Sequence, residues 1–566
     1  MSEKTSKTPR FASFLLAFSM FATGASGLVY EYILSTVSTY ILGNSIEQFS
    51  IIIALMMFMM GFAGWVQKFM SDSRLIEKFV ILEAILSILG GFAPIAIYGA
   101  FGFAEHNFQL IQYFFVTSIG FLIGFEIPLI LRINEKYSKT LGINISRILS
   151  ADYIGSFIGA VIWTFYLIKN FPLTEISFIM AGFNFLVAVF TFFYFWKHNL
   201  VTHKILPIIL IISTAFLITA GYSQNRGWSI LLEQRLYEDK IVFSKTTKYQ
   251  RLVMTNNKKL DEYRFYINGN LQFSSLDEYI YHEQLVHPAM SVAENRKHIL
   301  ILGGGDGMAL REVLKYGDAE KITLVDLDRD MTDFCSKNSI MRQLNKDSFK
   351  DARVNLLNSS GISGKGIEML YQRKEEFSSS RNEKPEKTAS VQIINIDADL
   401  FISNFAKNGE SEIFDVIIVD LPDPNSVELA KLYSREFYSK LRFVLKEDGV
   451  ISVQATSPYH AKKSYLCIKK TMESAGFRVI SYHDNVPSFG EWGWFLGFSE
   501  TFPKEKINEK ISKLTIKKET KYLTGEKFRA ATVFGKNWLE APEIEVNSLM
   551  QPVILRYYLD ESWLVE

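Results

Sequence analysis

Apolar residues run in long uninterrupted blocks through the amino-terminal part of the chain and in short stretches, broken by turns, through the rest. A helix crosses a bilayer core with about 20 apolar residues. Blocks of that kind lie at residues 11 to 33, 47 to 67, 79 to 103, 110 to 131, 150 to 169, 174 to 196 and 204 to 222. The pattern predicts a multi-pass α-helical membrane domain of about seven helices over 1–223. The first block is too long, and too soon followed by others, for a cleaved signal peptide. After Tyr222 the pattern shortens, and residues 229 to 295 read as short strands, with Asn268-Gly269 in YRFYINGNLQF marking a hairpin turn. A small β-domain or gate is therefore expected over 224–296, followed by a Rossmann-like α/β domain over 297–500 and a carboxyl-terminal extension over 501–566. Between Arg353 and Ser390 a polar stretch containing SSSRNEKPEK has the composition of a disordered insertion.

Charge and cysteine content narrow the chemistry. With 61 basic and 60 acidic side chains the net charge is +1, so no nucleic-acid partner is expected. Cys335 and Cys467 are the only cysteines, which rules out a disulfide framework and a Cys-rich zinc site; both are expected as buried thiols. The 8 histidines are scattered, with no H-E-x-x-H, and no metal is expected.

Charges around the apolar blocks are uneven. Lys4, Lys7, Arg10, Lys68, Arg74, Lys78, Arg132, Lys136, Lys139, Arg147, Lys197 and Lys204 fall on one side, and Lys169 on the other. The positive-inside rule then places the amino terminus in the cytoplasm, and seven spans carry residues 224–566 to the opposite face. Glu31, Glu83, Glu126 and Asp152 lie within the blocks. Such carboxyls turn toward a bundle interior or wet cavity, serving as helix–helix glue, as partners of Arg132 or as a cation path.

The second half carries a nucleoside-site pattern. In HILILGGGDGMALREVLKYG an apolar strand precedes a turn with Gly303 and Gly305, and Asp306 stands within that turn. Glycines there let the backbone pass close to a ligand. The next strand, KITLVDLD, leads to Asp326, where an acid can hold ribose hydroxyls. Asp397 follows VQIINI, and FDVIIVD ends in Asp420, with Asp423 three residues on. Ligands of open parallel sheets bind beyond the carboxyl ends of the strands, so these acids are expected along one edge.

An acid at Asp306 would repel the carboxylate of a methionine tail, whereas a decarboxylated tail ends in an ammonium that the acid attracts. A diamine acceptor likewise needs carboxylates, one of them to take a proton before the amine attacks. Residues 249 to 500 resemble spermidine synthase, a polyamine aminopropyltransferase, through Tyr249-Gln250, NGNLQFSSLDEYIYHEQLVHPAM, ILGGGDG, VDLD, Asp397-Ala398, the D-x-x-D-P run and NVPSFGEWGW. The amino-terminal spans and EVNSLMQPVILRYY resemble the family's membrane-fused bacterial branch.

The resemblance implies a fold of the class I methyltransferase type and transfer of the aminopropyl group of decarboxylated S-adenosylmethionine to putrescine, with no prosthetic group. It assigns Gln250, Gln272, Asp306, Asp326, Asp397, Gly303 and Gly305 to the donor, with Asp326 on the ribose and Asp397 near the adenine. Tyr281, His282, Asp423 and Gln454 go to the acceptor, and Asp420 becomes the catalytic base. Leu421-Pro422 between the paired acids and Phe489 in VPSFGEWGW depart from the pattern of soluble relatives and leave the choice of acceptor open. A membrane-tethered methyltransferase and a polyamine transporter or sensor are the competing readings. The expected partners are a small diamine, the lipid bilayer and a further copy of the chain; donor supply places catalysis on the cytosolic side, against the basic-loop count.

Overall fold

The computed structural model describes residues 7–42, 45–103, 108–138, 140–356, 390–408, 411, 413–541 and 543–561. Most of the insertion expected between Arg353 and Ser390 lies outside the described residues. The chain divides into two compact units, Met1–Lys240 and Ile241–Glu566.

The first unit is a set of long helices: α1 (Lys7–Leu42), α2 (Ser45–Val66), α3 (Leu75–Phe103), α4 (Phe108–Asn134), α5 (Leu141–Ile162), α6 (Leu173–Lys197) and α7 (Ile205–Arg235). Among the described residues, 7 helices are long and apolar enough to cross a membrane. Helix α7 runs well past Tyr222, where the apolar run stops, because SQNRGWSILLEQR continues the helix with polar side chains that hydropathy does not register. Helices α1 and α5 touch through their backbones: a Cβ on Gly155 would fall 2.0 Å from the Phe21 carbonyl oxygen, and one on Gly159 2.6 Å from that of Ala25. Small residues at such crossings let helices approach closely.

Polar groups are threaded through this bundle. Glu83 on α3 and Glu126 on α4 are buried in the bundle. Asp152 lies against Gly24, whose Cβ would meet Asp152 Oδ1 at 2.6 Å, and Ser26 donates to Asn184. Arg132 does not pair with these acids; its Nε donates to Asp72 Oδ1 at 2.9 Å and its Nη2 to the Met70 carbonyl at 2.8 Å.

The second unit opens with a four-stranded sheet in the order β1 (Lys240–Thr246), β2 (Arg251–Asn257), β3 (Glu262–Ile267) and β4 (Asn270–Ser274). The Asn268-Gly269 turn joins β3 to β4 with φ of 50° and 83°, the left-handed pair that a tight antiparallel hairpin requires. The stretch expected to continue as strands is instead helix α8 (Glu278–Val292). It is buried on nearly every side, so it has neither strand alternation nor a polar helical face to betray it.

A larger sheet follows, built from β5 (His298–Gly303), β6 (Lys321–Asp326), β7 (Val354–Leu356), β8 (Ser390–Asn395), β9 (Phe414–Asp420), β10 (Leu445–Gln454), β11 (Phe477–Val486) and β12 (Gly490–Ser499). Its order is β11-β12-β10-β9-β5-β6-β8-β7, parallel from β10 to β7 and antiparallel at β12 and β11. Strand β5 is apolar at successive positions because both faces are covered: Ile299 and Ile301 enter one core, Leu300 and Leu302 the other. Cys335 and Cys467 are free and buried.

Candidate active site

Chain order reverses on either side of β5, with β6 on one flank and β9 on the other, which makes the crevice between β5 and β9 the switch point where such sheets bind ligands. The register sets Gly303 beside Asp420 and Asp326 beside Asn395, aligning the carboxyl ends of these strands. Gly303 has φ of +82°, and a Cβ there would lie 1.9 Å from the Asp420 carbonyl oxygen; no side chain fits. A Cβ on Gly305 would meet Asp326 Oδ2 at 2.5 Å. The Gly305 N–H donates to that oxygen at 3.1 Å, and the Asp328 N–H donates to Oδ1 at 2.8 Å.

Donor-side expectations separate into two groups. Asp306 receives the Met308 N–H at 2.8 Å through Oδ1, and its Oδ2 lies 3.8 Å from His282 Nε2. Gln250 does not reach Asp326; its Nε2 donates to Asp328 Oδ2 at 3.0 Å, where Thr247 also donates at 2.6 Å. Asp397 accepts from Lys431 at 2.7 Å and from the Leu400 N–H at 3.0 Å, apart from the hydrogen bonds that join the other acids. Gln272, on β4, donates locally to the Asn270 carbonyl at 3.2 Å.

Of the acceptor-side expectations, Tyr281, Asp423 and Gln454 converge on β9 and the loop after it, whereas His282 lies between Glu278 and Asp306. Tyr281, on α8, donates to Asp420 Oδ1 at 2.7 Å. Gln454, at the end of β10, donates to the Leu421 carbonyl at 2.5 Å and lies 3.4 Å from Asp423 Oδ1. Residues that sequence reasoning missed complete this half: Tyr433 donates to the carbonyls of Leu421 at 3.2 Å and Pro422 at 3.0 Å. Thr456 and Tyr558 donate to Asp423 Oδ2 at 3.2 and 2.9 Å. Asp328 was visible in VDLD, but the Tyr558 contact joins residues 135 positions apart, beyond any local motif. Phe489 packs near Tyr281, ring centroids 6.2 Å apart.

The acids strain against their surroundings. Burial, with Asp306 adding repulsion, pushes Asp420 up to about 6, against the pull of His282 and the Tyr281 hydrogen bond. Burial raises Asp423 to about 6 and Asp326 to about 7. Burial beside Asp420 holds the Tyr281 phenol well above its ordinary value. Burial opposes protonation of His282, but Asp306 and Glu278 outweigh it and lift the imidazole to about 10. Behind it, Arg311 donates to both Glu278 oxygens at 2.8 and 2.9 Å, and Glu278 falls to about 2 although burial opposes ionisation. The site thus gathers carboxyls whose ionisation is costly without a cation beside them. Among the described residues no group of three or more His, Cys, Asp or Glu is placed to hold a metal ion.

A family profile described as "Spermine/spermidine synthase domain" matches residues 278–379 and 368–510. A polyamine aminopropyltransferase of Leptospira interrogans is 34% identical over 557 residues, covering 97% of this chain and 98% of the relative. Polyamine aminopropyltransferase 2 of Aquifex aeolicus is 35% identical over 546 residues, covering 96% and 98%. The crystal structure of spermidine synthase from Thermotoga maritima aligns with 25% identity and a TM-score of 0.40, covering 52% of this chain and 85% of that one. With this acid-lined switch point and relatives matched from end to end, the chain belongs to the spermine/spermidine synthase family.

Proposed function

We propose that the protein transfers the aminopropyl group of decarboxylated S-adenosylmethionine to putrescine, giving spermidine and methylthioadenosine. The observation that carries this reading is Tyr281 bonded to Asp420 at the end of β9, with Asp306 on the neighbouring Gly turn. Asp420 takes a proton from the attacking ammonium, held by the Tyr281 hydroxyl. The freed nitrogen attacks the carbon beside the sulfonium; the N–C bond forms as the C–S bond breaks, and the electron pair leaves on neutral methylthioadenosine. Asp326 holds the ribose, Gln250 and Asp397 complete the donor site, and Asp306 with Asp423 receives positive ends. Gly303 and Gly305 give the donor room, and Gln272, His282 and Gln454 support the two substrates from the surrounding elements. Pre-alignment of nitrogen and carbon supplies much of the rate.

Equilibrium titration of the full-length protein tests this. Decarboxylated S-adenosylmethionine should bind at least about tenfold more tightly than S-adenosylmethionine, as expected for exchanging repulsion for a charge-assisted contact. Equal affinity, or preference for the carboxylated compound, would favour a methyltransferase.

We further propose that the amino-terminal helices span the cell membrane and that catalysis faces the cytosol, where the donor is made. The length and hydropathy of the helices support insertion; the basic flanks, counted with seven spans, pull toward the opposite face. Reporter fusions after His203 and after Asp239 decide the orientation. A signal from the outer face of the membrane after Asp239 would overturn the cytosolic placement.

A further inference from the structure

Beyond the residues matched to the family domain, which end at 510, the chain turns back to the acceptor side of the site. Helix α9 (Val553–Glu561) docks through Val553, Ile554 and Tyr557, all part of the core on one face of the sheet. Its approach is fixed by Asn547, fully buried, whose side-chain amide donates to the Ala430 carbonyl at 2.9 Å and whose Oδ1 accepts the Ile554 N–H at 3.3 Å. The Asn547 carbonyl accepts the Arg435 N–H at 2.9 Å, and its own N–H donates to Thr471 at 3.0 Å. Thus anchored, α9 delivers the buried Tyr558 hydroxyl to Asp423 Oδ2 at 2.9 Å.

Thr456 meets the same oxygen from the other chain direction. It has φ of 58°, a left-handed conformation that β-branched residues rarely adopt. Hydrogen bonds on both sides hold it there: its N–H donates to Gln454 Oε1 at 3.1 Å and its carbonyl accepts the Gly493 N–H at 2.9 Å. Two hydroxyls therefore converge on Oδ2, while among the described residues Oδ1 has the long 3.4 Å contact with Gln454 alone. Oδ2 is fixed by two hydroxyls, and Oδ1 takes the weaker contact.

We infer that Tyr558 and Thr456 are positioning residues that aim the Asp423 carboxylate at the far ammonium of the diamine, so that the carboxyl-terminal segment completes the acceptor pocket. This rests on the assignment of Asp423 to the acceptor. Hydroxyl donors suit that role because they fix the carboxylate without neutralising it, leaving its charge for the ligand.

The test is steady-state kinetics on the full chain, varying putrescine and decarboxylated S-adenosylmethionine separately. Tyr558→Phe and Thr456→Ala should each raise the putrescine KM about tenfold, the effect of losing a hydrogen bond to a charged group, with donor KM unchanged. Tyr557→Phe, which removes the hydroxyl that accepts the Glu545 N–H at 3.2 Å, should keep the wild-type acceptor KM. Asp423→Asn separates the two levels of the argument. If it raises the acceptor KM while folded Tyr558→Phe and Thr456→Ala stay within about twofold of wild type, the inference fails and the Asp423 assignment stands. If Asp423→Asn also leaves the acceptor KM unchanged, that assignment fails and the inference with it.

Discussion

Tyr281 and His282 are adjacent on one helix yet serve different acids: the Tyr281 hydroxyl lies 2.7 Å from Asp420, and His282 Nε2 lies 3.8 Å from Asp306. Neighbours on a helix point about 100° apart, so a single element reaches the ends of two strands.

Replacing the proposed base should strike turnover more than binding. Asp420→Asn is expected to lower kcat by about a hundredfold to ten-thousandfold, the range for loss of a positioned proton acceptor. Tyr281→Phe should have a smaller effect, because the carboxylate remains. Isothermal titration with the donor, alongside steady-state kinetics, separates the two quantities. A kcat for Asp420→Asn near the wild-type value would remove Asp420 from the chemistry.

Asp326→Asn should weaken donor binding by about tenfold or more, since a charged acceptor of hydrogen bonds is exchanged for a neutral amide. The putrescine KM should be little changed. A variant that loses acceptor affinity while keeping donor affinity would contradict the ribose assignment.

Stability without ligand should fall as pH rises from 5 to 8. Asp420 and Asp423 at about 6, and Asp326 at about 7, hold protons more tightly than their ordinary 3.8. Their contribution is therefore complete below about pH 4 and is lost as pH climbs through those values. Glu278 at about 2 has the opposite sign: its contribution is present above its ordinary 4.5 and disappears only as pH drops toward 2. His282 at about 10 contributes fully below 6.5 and loses its effect on the way up to 10. The thermal midpoint in detergent should decline across that interval, and putrescine should reduce the decline by supplying the missing cation. A midpoint that rises from pH 5 to 8 would show that other groups dominate.

Excising residues 360–385 from the polar insertion should leave folding and turnover close to wild type, because its composition offers little apolar surface to bury. Size-exclusion behaviour and kcat provide the check. Aggregation of the shortened chain would show that the insertion supports the fold.

Legibility in the sequence followed the range of the interactions. Gly303, Gly305 and Asp326 stand out because one strand, one turn and the next strand determine their setting, and the structure sets Gly305 against Asp326 and Gly303 against Asp420. Strand β5 was readable for the same reason, its unbroken apolar run reflecting cover on both faces. Helix α8 was misread because near-complete burial erased its amphipathic signature. The polar end of α7 was missed because hydropathy marks where apolar residues stop and helices continue past that point. Tyr433, Thr456 and Tyr558 carried no local signal; their contacts with the D-x-x-D run depend on tertiary folding, and for Thr456 on a backbone angle that threonine does not advertise.

Mounting Tyr281 and His282 on the same rigid rod also limits how the enzyme can diversify. On the proposed assignment, a tilt or slide of α8 that opened space for a longer amine would carry His282 away from Asp306 in the same movement and so disturb donor binding as well. On that assignment, new acceptor ranges would arise from side-chain exchange on fixed ground, at Leu421, Pro422 or Phe489, with the rod itself unmoved.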